Sequence, residues 1–266
     1  MTYVASASYH ERPSSHWTGW GQWIALVTMT LDHLARYLAT DAWHLGWVDS
    51  SVGRIAFPLF AGMVAWHGLF NTRDPLRYAR RVMIIGLLAQ LPYQLMPREA
   101  LFQLNICFTL ALGLMAGHWL EQLTRRQEAG ELGHVRLALE TLGVATGWYF
   151  AGFWVEYGHH GLLLVPFFML GMGQLHRTDD ALLSRLLAVV GCLPLLLVAG
   201  MMNSSDMAKS VTVATVLAVL LLAAGAHRLC RAPGIVMPRR MWLAWYPAHF
   251  AVIAAILLWT GNAQIM

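Results

Sequence analysis

The chain has 266 residues, of which 58% are hydrophobic and only 12% charged, with a mean hydropathy of +0.51. Apolar runs of about 20 residues, the length that crosses a bilayer as helix, recur along it. A soluble enzyme is thereby excluded, and an all-α, polytopic integral membrane protein is expected. The net charge of +4 does not signal nucleic acid, because the arginines sit in short loops between apolar runs, where they set orientation.

Nine spans are read in chain order, at 20–40, 52–70, 80–97, 102–121, 136–154, 160–176, 182–200, 211–228 and 241–261. Residues 1–17 are polar and read as a mobile cytoplasmic tail rather than a cleaved signal, since Asp32-His33 would break any apolar signal core. Residues 18–266 then form a single transmembrane domain. Cys107, Cys192 and Cys230 are odd in number and far apart, so neither a disulfide framework nor a metal site is expected. Fourteen of the lysines and arginines fall in loops on one side, while Arg98 and Lys209 alone fall in loops on the other. By the positive-inside rule the N-terminus is cytoplasmic and the C-terminus outside. Trp17, Trp20 and Trp23 at the inner mouth of the first span and Trp242, Trp245 and Tyr246 at that of the ninth fit interfacial aromatic belts.

Orientation converts position into depth. His33 lies roughly 20 Å above the cytoplasmic face of a core about 30 Å thick, in the outer half. The outer half also collects Asp32, Arg36, Arg54, Asn105, Thr109, Glu156, Tyr157, His159 and His160. Charges inside a bilayer are costly and are by default candidates for function. Bland readings compete: Asp32 and Arg36, four apart, could simply neutralise each other, Asn105 could be interhelical glue, and the surface-near histidines could be interfacial. His33 resists them best, being deep, neutral near pH 7 and flanked by leucines. Consecutive helical residues point about 100° apart, so its expected partner is not Asp32 but Asn105, Arg54 or Glu156 from another helix. In the ninth span, Pro247 breaks the hydrogen-bond ladder and His249 lies about 13 Å above the inner face, a candidate link between the outer site and the cytosol. His67, His118 and His227 sit near the cytoplasmic ends, where lipid headgroups could explain them. There Arg73, Arg77, Arg80 and Arg81 are dense enough to form a phosphate-binding mouth.

Several blocks, in order over about 18–250, carry a family resemblance. They are Leu31-Asp32-His33, Gly53-Arg54-Ile55-Ala56-Phe57-Pro58-Leu59-Phe60, Asn71-Thr72-Arg73-Asp74-Pro75 with Tyr78, Gln90-Leu91-Pro92-Tyr93, Leu104 to Gly113, Glu156-Tyr157-Gly158 with Gly161, and Tyr246-Pro247 with His249. This ordered set resembles the TraX family, the membrane acetylases of conjugative F-type pilin and the related TrbP, which look similar to transmembrane acyltransferases. The resemblance implies transfer of acetyl from cytosolic acetyl-CoA, a co-substrate, to an acceptor on the outer side of the bacterial inner membrane. The acceptor would be the N-terminal amine of a pilin or another exported molecule.

On that reading His33, Asp32 and Asn105 are the catalytic candidates. His33 would be general base or acetyl carrier, Asn105 with Arg54 would steady the oxyanion, and Asp32 with Glu156 would position base or acceptor. Thr109, Tyr157, Tyr246 and His249 would line the substrate site, and Arg73, Arg77, Arg80 and Arg81 would hold the nucleotide end of the donor. Two rivals stand beside it: a proton-coupled transporter or flippase using Asp32, His33 and Arg54, against which no paired repeats or broken helices are evident, and a non-catalytic factor in pilus or conjugation assembly.

Overall fold

A computed structural model describes residues 13–39, 43–98, 102–177, 181–229 and 237–264. Most of the expected tail, with Arg12, and also Cys230 and Arg231, lie outside the described residues. The helices are α1 (His16–Tyr37), α2 (Gly46–Ser50), α3 (Gly53–Trp66) continued by a π turn (His67–Asn71), α4 (Pro75–Gln94), α5 (Ile106–Glu128), α6 (His134–Ala151) and α7 (Gly158–Arg177). Then α8 (Leu182–Ala188) passes through a 3₁₀ turn (Val189–Cys192) into α9 (Leu193–Met201), followed by α10 (Asp206–Ala224) and α11 (Arg239–Thr260). Every expected span meets helix, and the protein is an all-α membrane protein. Among the described residues five segments, 46–71, 106–128, 182–201, 206–224 and 239–260, are long and apolar enough to cross a membrane. Helices α1, α4, α6 and α7, of 22, 20, 18 and 20 residues, are as long but less apolar.

Local chemistry sets the boundaries. Asp74 accepts the Arg77 N–H at 2.8 Å with Pro75 in the first turn of α4, and Asn105 accepts the Cys107 N–H at 3.1 Å to open α5. Gly225 and Gly261, at φ +116° and +73°, stop α10 and α11 in the left-handed conformation that glycine adopts freely.

Contacts between helix ends set direction: α1 and α3 run antiparallel, while α5 runs parallel to α7 and α4 parallel to α11. Ser15 at the start of α1 accepts from Trp66 Nε1 (3.0 Å) and Asn71 Nδ2 (2.8 Å) at the end of α3, and Arg177 of α7 pairs with Glu128 of α5 at 3.1 Å. At the opposite end Thr109 of α5 donates to the Glu156 carbonyl before α7 at 2.8 Å, and Gln264 after α11 donates to the Leu95 carbonyl after α4 at 3.0 Å. The first end carries Arg73, Arg77, Arg80, Arg81, Arg125, Arg126, Arg177 and Arg239; the second carries Arg36, Arg54 and Arg98.

The main core is built from α3, α5, α7 and α10, with Phe168, Met172, Leu114, Trp66 and Leu220 fully buried. Trp17 belongs to that core, fully buried against Trp66 at 5.6 Å, and is not an interfacial residue as its place near a span end suggested. Within the expected 1–17 tail, Ser15 bonds Trp66 and Asn71 and Trp17 is buried. Leu87, Leu88 and Leu91 of α4, Leu139 and Leu142 of α6, and Leu193 and Leu197 of α9 face outward, an apolar perimeter suited to lipid.

Candidate functional site

Helix α1 buries Leu26, Met29, Asp32 and His33 on one face, at helical spacing. His33 Nδ1 lies 2.8 Å from His249 Nε2 on α11, and His249 Nδ1 lies 2.9 Å from the Trp245 carbonyl one turn earlier. A carbonyl only accepts, so His249 Nδ1 carries the proton and, for neutral rings, its Nε2 is the acceptor. His33 must then donate through Nδ1, which leaves the lone pair of its Nε2 free. The chain of bonds fixes His33 in the tautomer a general base requires. Its Nε2 faces Asp32 Oδ2 at 4.0 Å, beyond hydrogen-bond reach but close enough to stabilise an imidazolium after proton uptake. Phe250 packs against the His33 ring with centroids 4.6 Å apart. The partner of His33 is thus His249, not Asn105, Arg54 or Glu156, because α1 meets α11 at this level and the ninth span delivers its histidine to the same depth.

Asp32 sits in a charge cluster at the second end of the bundle. Its Oδ2 pairs with Arg36 at 3.3 Å, Arg36 pairs with Asp49 on α2, and Asp49 also binds Arg54 at 2.9 Å. Gly53 lets α3 approach so closely that a Cβ at this position would collide with the Asp32 carboxylate. Glu156 and Tyr157 enter from the turn before α7, within electrostatic range of Arg36 and Arg54 respectively. Tyr157 holds φ +62°, a strained conformation for a non-glycine residue, and stacks on Phe57 at 4.4 Å. Asp49 was not singled out from the sequence, where it reads as a loop residue; its signal is an acid placed between two spans that each carry a deep arginine.

Other expected residues do different work. Asn105 is fully buried, and its amide is committed on every side: Nδ2 donates to the Gly86 carbonyl and to Gln90 Oε1, both at 2.8 Å, while Oδ1 caps α5. It pins α4 to α5 and has no free donor for an oxyanion. Thr109 spends its hydroxyl on the Glu156 carbonyl, which anchors the turn carrying Glu156 and Tyr157. His159 bonds the Tyr149 carbonyl at 2.9 Å among Trp148 and Phe153, apart from the cluster. His118 bonds Gln122 and His227 the Leu222 carbonyl, each at 2.9 Å.

A cavity of about 360 Å³ runs between α1, α3, α4, α5 and α11. Its mouth, at the arginine-rich end, holds His67, Asn71, Thr72, Arg81 and Arg239; its interior is Phe60, Val64, Val82, Ile85, Leu110 and Trp242; its far end reaches Met29, Cys107 and Tyr246. Met29 is one turn from His33 on α1, and Tyr246 three residues from His249 on α11, so the cavity ends about one turn, roughly 5 Å, beneath the histidine pair. Of the four expected arginines only Arg81 lines it. Arg77 pairs instead with Asp74 at 3.4 Å, and Arg73 and Arg80 stand exposed outside. Arg239 takes the second cationic place, brought there because α11 begins where α4 begins.

Fold and site together define a helical membrane protein whose polar centre, buried near one end, is approached by a cavity from the other. The chain belongs to the TraX family: the family model described as TraX protein matches residues 21–257. It is also similar to a protein described as "Probable fimbrial assembly protein FimC, serogroup H1" of Dichelobacter nodosus, 33% identical over 104 residues, which covers 35% of this chain and 42% of that protein. The chain thus spans less than half of that relative's length. No solved structure matches it.

Proposed function

We propose that the protein is a membrane-embedded acyltransferase that moves an acetyl group from cytosolic acetyl-CoA to an acceptor amine on the outer side of the inner membrane, an exported pilin being the acceptor that family and relative favour. The observation that carries this reading is the cavity: a cationic mouth at one end, an apolar shaft, and a histidine with a free Nε2 one turn past its end. A volume of about 360 Å³ is at the lower end of ligand sites, enough for a slender arm but not for a nucleotide as well. The phosphates would therefore stay at the mouth with Arg81 and Arg239, where two guanidinium groups suit them, and the pantetheine arm would fill the shaft.

In the transfer step the acceptor nitrogen attacks the thioester carbonyl carbon while Nε2 of His33 takes its proton. The carbonyl pair moves onto oxygen as the C–N bond forms. Collapse of the intermediate breaks the C–S bond, and the departing thiolate receives the proton from His33. Asp32 stabilises the imidazolium in between, and Arg36, Asp49 and Arg54 hold Asp32 in place. Positioned proton transfer of this kind contributes roughly 10²–10⁴-fold.

Intact masses of the pilins made with and without this protein test the reading. A gain of one acyl group only in its presence is expected; identical masses for every exported candidate would sink it. The relative's description favours a second reading, a factor in fimbrial assembly without catalysis. In that case assembly would survive loss of His33.

A further inference from the structure

We infer that the Tyr246 hydroxyl is a further catalytic group, donating a hydrogen bond to the carbonyl oxygen of the acyl thioester as negative charge develops there; this rests on the donor reading of the cavity given above. Tyr246 lies on α11 only 8% exposed, and its Oη has no hydrogen-bond partner among the described residues. A buried hydroxyl without a partner is uncommon, and Tyr246 stands in the lining at the far end of the cavity. The ring is fixed, crossing His249 at 5.5 Å and Phe250 at 5.2 Å, so the hydroxyl cannot swing toward solvent.

The surroundings leave it little competition. At the far end of the cavity the lining is Met29, Ile106 and Cys107, and a thiol is a weak donor. Asn105 has no donor to spare, as its amide already serves Gly86 and Gln90. Tyr246 is therefore the strong donor at the place where the thioester would stop, one turn from the base. Its part in the step is electrostatic: when the acceptor nitrogen bonds to the carbonyl carbon, the π pair localises on oxygen and the O–H···O⁻ bond shortens, with no proton leaving the tyrosine. The interaction is stronger in the transition state than in the ground state, which is what raises turnover rather than affinity.

The test uses the full-length protein in detergent or liposomes and Tyr246→Phe, which keeps ring and packing. Turnover with acetyl-CoA is expected to fall on the order of 10²-fold with KM unchanged, the usual cost of one such donor. Two unreactive donors add a readout that packing alone would not move: a CoA thioether carrying a ketone where the thioester carbonyl sits, and the matching alkyl thioether without oxygen. Wild type is expected to bind the ketone more tightly, and Tyr246→Phe to bind both alike. Unchanged turnover, or an undiminished preference for the ketone in the variant, overturns the assignment. Failure of wild type to bind either compound overturns the donor reading of the cavity, and this inference with it.

Discussion

At the scale of residues, the proposed transfer turns on how a histidine 216 positions away settles the tautomer of His33. His33→Ala is expected to abolish acceptor acetylation, a loss of roughly 10²–10⁴-fold or more, while the protein still inserts and accumulates; a normally acetylated pilin recovered beside that variant would refute the assignment. His249 acts through His33 and should behave differently. His249→Gln keeps an acceptor oxygen near His33 Nδ1, whereas His249→Leu removes it and leaves a buried donor unpaired, a cost of about 1–3 kcal/mol. Leucine is therefore expected to lower turnover roughly ten- to a hundredfold with little change in KM, and glutamine to recover part of it; equal rates for the two would show that the bond to His249 does not matter. His33 stands out in the sequence because depth and leucine neighbours isolate it. Its partner does not, since helical spacing fixes the face a residue occupies but not the helix that face will meet. The same limit explains Asn105, whose position in an apolar run conceals that it caps one helix while tying down another.

At the scale of elements, the close approach of α1 and α3 decides where Asp32 can sit. A Cβ on Gly53 would collide with the Asp32 carboxylate, whereas one on Gly21, in the same helix pair but toward the other end, would meet Met63 Sδ at 3.3 Å and Leu59 at 3.7 Å, flexible side-chain ends that can yield. Gly53→Ala is thus expected to displace Asp32 and cut transfer at least about tenfold, while Gly21→Ala keeps near-normal activity; melting curves of both should stay close to wild type. Comparable activity in the two variants would show that Asp32 tolerates displacement. The clamp of Arg36, Asp49 and Arg54 acts on position more than stability, because Asp49 and Arg36 have side chains 38% and 34% exposed and solvent weakens such pairs to about 1 kcal/mol or less. Helix α2, which supplies Asp49, was invisible in the sequence: five residues are too few to show a helical period. Which arginines line the cavity was hidden for a related reason. Density in the loop before α4 was plain, but α4 turns only Arg81 toward the cavity, and the second cation arrives from α11.

For the whole molecule, hydropathy and charge alternation carried the architecture, since a bilayer leaves helices little freedom in length or direction. The end contacts, antiparallel for α1 with α3 and parallel for α4 with α11, turn that alternation into geometry, with the histidine pair toward one end and the cationic mouth at the other. If the arginine-rich end is cytoplasmic and all nine expected spans cross, α11's C-terminus lies outside. A green fluorescent reporter at the N-terminus should then fluoresce and one at the C-terminus stay dark, while alkaline phosphatase should be active only at the C-terminus. The proposed sidedness of the substrates follows from the same orientation, because Arg81 and Arg239 line one end of the cavity and its far end stops a turn short of His33. Acetyl-CoA added to inside-out membrane vesicles should be consumed when acceptor is enclosed in the lumen, and right-side-out vesicles given the same outer acetyl-CoA should remain inert. Phosphatase activity at the N-terminus would reverse the orientation, and consumption of acetyl-CoA by right-side-out vesicles would mean that the donor enters by a route other than this cavity.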